Sequence, residues 1–302
     1  MFTYKRFLEY RPLVKGFFDS ATNTISYVVA DDASKRCAII DSVLDYEPHG
    51  ATISHESADK LIEYIEKSGY TVDWILETHV HADHLSAAPY LKERLGGKIA
   101  IGEHIRTVQE VFGRVFNEGT EFERDGSQFD RLFKDGDEFS IGSIPVRVVS
   151  TPGHTPADIT YVIGDAVFPG DSLFMPDYGT ARVDFPGGSA EDMHASTQKL
   201  FALPEQMRMF MCHDYLPEGR TEYRFETTVG EQKRANIHLN KDTSVGTFSA
   251  FRKERDAMLG MPRLIIPSLQ VNMRAGEIPG DEATGSKFFK IPINSVFSKG
   301  RE

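Results

Sequence analysis

The segment THVHADH places His79, His81, Asp83 and His84 within six consecutive positions and uses three of the chain's ten histidines. Imidazole nitrogens and carboxylate oxygens are ligands for zinc, iron or manganese, and a cluster this dense exceeds what packing requires. In an extended segment His79 and His81 point to one side because side chains alternate with a period of two, and Asp83 and His84 lie where the chain turns into a helix. Three more candidates each follow an apolar run. VRVVS ends in TPGHT and presents His154, DAVFPGDSLF presents Asp171, and RMFMCHDY presents His213. Groups from residue 79 to residue 213 can meet only if the runs before them lie side by side.

The elements around these residues predict that arrangement. NTISYVVAD (23–31) and KRCAIIDS (35–42) read as strands joined by a hairpin at DDAS. ESADKLIEYIEKSGY (56–70) reads as a helix, with Ala58, Leu61, Ile62 and Ile65 on one face and Gly69 near its end. TVDWILET (71–78) is a short apolar strand, and LSAAPYLKERLGG (85–97) reads as a helix capped by Ser86, with Pro89 in its first turn. The histidine cluster therefore occupies a strand-to-helix loop, where α/β proteins usually hold reactive groups.

A chain of 302 residues with 40% apolar content can bury a substantial core. The formal net charge of −11, from 45 acidic and 34 basic residues, gives no field that would attract nucleic acid or an anionic membrane surface. An anionic small substrate would need local arginines working against that field. Neither a secretory leader nor a membrane span is apparent, and Cys37 and Cys212 are too few for a disulfide framework. The expectation is a soluble cytoplasmic protein with neither nucleic-acid nor membrane partners.

Other signals are weaker. His49, His55, His104, His194 and His238 read as ordinary surface or core residues. GDEATGSK (280–287) has the glycine spacing of a phosphate loop but the wrong ending, and reads as a turn. Cys212 in MFMC reads as a small buried hydrophobe rather than a nucleophile.

THVHADH, TPGHT, GDSLF and CHDY, in this order and spacing, resemble the metallo-β-lactamase superfamily over roughly residues 20–215. The resemblance implies an α+β fold, an αββα sandwich with metal at one edge of its two sheets. The chain is expected to form a single domain over 1–302, with a core of about 20–215 and a helical or extended segment, 216–302, packed on it. Within the superfamily, GTARVDFPGG (179–188) and NMRAG (272–276) resemble the persulfide dioxygenases, most closely their bacterial β-lactamase-like hydrolase subgroup. Thr180 and Ala181 stand where that branch commonly has Cys-Gly, and the chain continues beyond Gly276.

The resemblance implies one Fe(II) per chain held by His79, His154 and Asp171, with glutathione persulfide and O2 as substrates and a homodimer as the family's habit. His81, Asp83, His84 and His213 are then residues that orient the ligands. In the alternative, a glyoxalase II-like hydrolase of glutathione thioesters with two zinc ions, those four bind metal themselves. A metal- or sulfide-responsive binding module without turnover is a third reading. Arg182 would pair with a glutathione carboxylate, with a salt bridge to Asp184 as its other reading. Tyr215 and Thr155 match substrate-side positions, with packing as theirs.

Overall fold

The computed structural model describes residues 4–280 and 284–298. Two six-stranded sheets face each other. The first runs in the order Leu13–Asp19, Thr24–Asp31, Arg36–Ile40, Thr71–Leu76, Lys98–Gly102 and Arg131–Phe133. Its early strands pair antiparallel and its later ones parallel. The second runs Glu138–Ile141, Ile144–Ser150, Ile159–Ile163, Ala166–Phe168, Arg208–Phe210 and Glu226–Thr228.

Strand Thr24–Asp31 shows why the layers stack as they do. Every residue in it is buried, so both faces are covered. Tyr27 and Val29 join Ala38, Ile40, Tyr161 and Phe168 between the sheets. Val28 and Ala30 point the other way, into a cluster with Leu61 and Ile65 of helix Glu56–Ser68 and Leu91 of helix Ala88–Leu95. On the far side of the second sheet, Val162, Val167 and Met209 pack on Leu200 and Phe201 of helix Ala190–Phe201. Helices thus cover both outer faces, and the expected αββα sandwich is the fold the chain adopts.

The first helix begins and ends as the pattern predicts, and Gly69 closes it in the left-handed conformation at φ 67°. The second does not. Leu85–Ser86 pairs as a short strand with Val43–Glu47, and the helix starts at Ala88 with Pro89 in its first turn. Ser86 stands two residues before the helix rather than at its cap: its hydroxyl oxygen accepts from Ala88 N–H at 3.1 Å, while its O–H donates to Glu77 Oε1 at 2.5 Å and its N–H to Asn272 Oδ1 at 2.8 Å.

Segments after residue 215 pack on this sandwich. Phe248 of helix Val245–Ala257 joins Phe174, Ala181 and Met193, and Leu269 and Val271 of helix Ile265–Asn272 join the cluster beneath the first sheet. Within the stretch read as a turn, Gly280 and Lys287 pair as an isolated antiparallel bridge, and residues 281–283 lie outside the described ones. Among the described residues no helix is long and apolar enough to cross a membrane.

Candidate metal centre

Four strand ends deliver the site. The loops after Thr71–Leu76, Ile144–Ser150, Ala166–Phe168 and Arg208–Phe210 meet at one edge of the sandwich. Backbone bonds between the sheets hold that edge together, with Ile25 N–H donating to Cys212 O at 2.8 Å and Ile159 N–H to Thr78 O at 3.0 Å.

All seven metal-motif residues converge there, nearly enclosed. His79, His154 and Asp171 form one set, with the ligand atoms within 4.8 Å of one another. Asp171 Oδ2 lies 3.9 Å from His79 Nε2 and 3.7 Å from His154 Nε2. Asp171 Oδ1 is 3.3 Å from His213 Nε2, which is also 3.6 Å from Asp83 Oδ2. The rings of His79 and His81 lie side by side with centroids 4.1 Å apart, as the alternation predicts.

The hydrogen bonds around the rings test whether these residues suit a metal. His154 Nδ1–H donates to the Arg182 carbonyl at 2.7 Å, which leaves Nε2 with its lone pair. His213 Nδ1–H donates to Asn23 O at 3.2 Å. His81 uses Nε2 instead, 3.0 Å from Asp41 Oδ1 and 3.2 Å from Glu77 Oε2. Thr78 donates its hydroxyl to Asp41 at 2.9 Å, so the Thr78 oxygen accepts from His79 Nδ1 at 3.0 Å. His84 Nδ1 sits 3.3 Å from Asp83 Oδ2. The opposite nitrogens of His79, His81, His84 and His213, and Asp171 Oδ1, are buried without a hydrogen-bond partner. Buried polar atoms are rarely left so, and donor atoms aimed inward from rings fixed at their outer nitrogen fit a metal ion.

Electrostatics agree with that fit for His79 and Asp83 but not for His81, whose charged ring is the favoured form. Burial, with His81 and His154 nearby, holds His79 well below the usual imidazole range and keeps it neutral, as a ligand must be. Burial works against a charge on Asp83, yet His213 and His84 overcome it and hold the carboxyl well below its usual range. Burial likewise opposes charge on His81, and Asp41 and Glu77 raise it well above the ordinary value.

Several residues in this network had no signal of their own in the sequence. Asp41 also accepts from Thr78 N–H at 2.8 Å, and it does so from a left-handed backbone at φ 50°. Asn272 donates to the carbonyls of both His81 and His84. Gly170 sits at φ 54°, where an added Cβ would lie 2.7 Å from Thr78 Oγ1. The NMRAG and GDSLF resemblances contain Asn272 and Gly170 without assigning them a role, and Asp41 lies in neither.

The expected substrate-side residues separate. Tyr215 lines the pocket over the site, stacked on Tyr178 with centroids 4.8 Å apart. Arg182 lines the same pocket, but its Nε and Nη2 bond Asp184 at 2.6 and 2.8 Å and its Nη1 donates to Gly260 O at 2.6 Å. Thr155 donates its hydroxyl to Asp158 and faces an apolar cavity beside Val80 and Phe185. Cys212 is buried, and burial with Asp41 and Asp171 nearby raises its thiol well above the ordinary range, in keeping with a packing role.

A two-sheet αββα sandwich with a buried His/Asp cluster on one edge defines a class. The family model of the metallo-beta-lactamase superfamily matches residues 21–213, and the chain belongs to that superfamily. Its members bind metal ions, and this chain reads as a metal-dependent enzyme of the group. Among particular proteins, it is 52% identical to a probable metallo-hydrolase of Burkholderia pseudomallei, over 94% of this chain and 99% of that one. It is 28% identical to the mitochondrial persulfide dioxygenase ETHE1 of Bos taurus, over 87% of this chain and 89% of the relative. The crystal structure of ETHE1 from Myxococcus xanthus superposes with a TM-score of 0.70 at 28% identity, covering 88% of this chain and all of that one (100%).

Proposed function

We propose that this chain is a mononuclear non-haem iron dioxygenase that oxidises glutathione persulfide to sulfite and glutathione. The observation that carries the reading is the set His79, His154 and Asp171, two imidazoles and one carboxylate with ligand atoms within 4.8 Å of one another. His79, His154 and Asp171 would hold the iron, which would supply the redox chemistry between O2 and a thiol-derived sulfur. The chain's own residues hold that set in place. The Arg182 carbonyl and Thr78 fix the His154 and His79 rings, and Phe185 packs against His154 with centroids 5.2 Å apart, shielding it from water.

The reaction balances without another reductant. The outer sulfur of the persulfide supplies four electrons to O2 and takes both oxygen atoms; water then cleaves the S–S bond, returning the thiol and releasing sulfite. Likeness to the persulfide dioxygenase ETHE1 supports this reading. The pocket over the site is completed by Arg255 and Leu259, from the segment after residue 215, so the reading takes the chain as one domain.

A second reading has its own observation. The buried, unpartnered Nε2 atoms of His84 and His213 favour a second metal and, with it, a hydrolase of glutathione thioesters. The two are separated by supplying iron-loaded protein with glutathione persulfide and following O2 uptake and sulfite release, with S-lactoylglutathione as the competing substrate. Rapid thioester hydrolysis without O2 uptake overturns the dioxygenase.

A further inference from the structure

We propose that Arg255 is the anchor for a carboxylate of the thiol substrate, a role that the family motif alone would give to Arg182. The inference rests on the reading that a glutathione derivative occupies this pocket. The pocket has a volume of about 140 Å³ and is lined by His154 and Asp171, by Tyr178 and Tyr215, and by three arginines.

Two of those arginines are committed. All three nitrogens of Arg182 have partners, and its guanidinium carbon lies 5.0 Å from the Phe185 ring centroid. Arg252 is buried against Asp256 and also donates to Thr180 O at 3.2 Å. Arg255 stands one turn further along helix Val245–Ala257, half-buried, and its guanidinium has no hydrogen-bond or ion-pair partner among the described residues.

Charge makes that position matter. The chain carries a net −11, so a substrate carboxylate remote from the metal ligands needs a local free cation to receive it. Arg182 would have to give up Asp184 to do so. Arg255 gives up only water, and its planar fork matches a carboxylate with two parallel bonds. Tyr178 and Tyr215 form an aromatic wall beside it, against which the peptide portion of the substrate can lie.

The test compares R255A and R255K with the unaltered protein in two ways. First, the dissociation constant of glutathione is measured by calorimetry on the folded protein, with no turnover required. R255A should weaken it about 10- to 100-fold, the worth of one charged hydrogen-bonded pair, and R255K should recover part of that loss. Second, kcat/KM is compared for glutathione persulfide and for cysteamine persulfide, which has no carboxylate. The loss in R255A should appear with the first and stay below about threefold with the second. If the enzyme is a hydrolase, S-acyl derivatives of the same two thiols replace the persulfides, so the anchor is tested whichever reaction holds. Equal losses for both carriers, or unchanged glutathione binding in R255A beside a large loss in R182A, would overturn the proposal.

Discussion

The side-chain amide of Asn272 donates to the carbonyl oxygen of His84 at 2.8 Å. The same amide reaches the His81 carbonyl at 2.9 Å, while its oxygen accepts from Ser86 N–H at 2.8 Å. One side chain at the end of helix Ile265–Asn272 therefore holds the backbone of the histidine loop from outside the sandwich.

Removing it should loosen the loop without touching a ligand. N272A leaves two carbonyls and one N–H buried and unpaired, and a cost of about 3 kcal/mol in stability is expected. Metal affinity should fall about 10- to 100-fold, the usual effect of losing an outer support. Denaturant unfolding and chelator competition measure the two. Unchanged metal affinity in a destabilised protein would confine Asn272 to a packing role.

The roles of the two histidine sets can be separated by substitution. With one iron held by His79, His154 and Asp171, D171A should lose both iron and activity, while H84A should keep most of its iron. Elemental analysis of protein loaded under anaerobic conditions gives the answer. Equal metal loss in both variants, or two tightly held zinc ions in the unaltered protein, favours the binuclear hydrolase.

Gly170 gives a sharper local test. At φ 54° an alanine pays a left-handed backbone strain, and its Cβ would lie 2.7 Å from Thr78 Oγ1 and 3.4 Å from His79 Nδ1. G170A should destabilise the fold by about 3 kcal/mol and push Thr78 off His79, so that metal affinity falls too. Thermal unfolding of metal-free and metal-loaded protein separates the effects, since binding adds to stability by mass action. An unaltered metal-dependent rise in Tm would show that Thr78 does not set the ring.

The ligand candidates were legible because THVHADH and the three strand-end motifs concentrate rare residue types at sheet edges, and the αββα fold followed from the same resemblance. What surrounds the ligands was not. Asp41 lies at the end of an ordinary apolar strand, and Asn272 meets His81 across 191 residues. Asp41 sits in no pattern until the chain folds, and NMRAG marks Asn272 without showing what its side chain holds. Ser86 was misplaced rather than misread: its hydroxyl does accept from Ala88 N–H at the helix start, but pairing of Leu85–Ser86 with Val43–Glu47 delays that start by contacts no local window contains. Arg182 is a mixed case, since the salt bridge to Asp184 two residues on was one of its two readings while the Gly260 carbonyl, 78 residues away, had no local signal.

His238 supplies the pH prediction. Its Nδ1 accepts from Thr180 N–H at 3.0 Å, which requires the neutral ring, and Phe251 packs against it with centroids 4.4 Å apart. Burial, helped by the positive charges of Arg252 and Arg255, lowers its pKa to about 4 from the ordinary 6.5. Between those values the unfolded chain binds a proton that the folded chain does not, so stability falls as pH drops from 6.5 towards 4 and this contribution levels off below. One proton limits the slope to about 1.4 kcal/mol per pH unit, and partial solvent access makes it smaller. H238N keeps an acceptor for Thr180 but cannot titrate. Urea unfolding of metal-free protein at a series of pH values should therefore show a steeper acid decline for the unaltered chain than for H238N, and parallel curves would mean that His238 does not contribute.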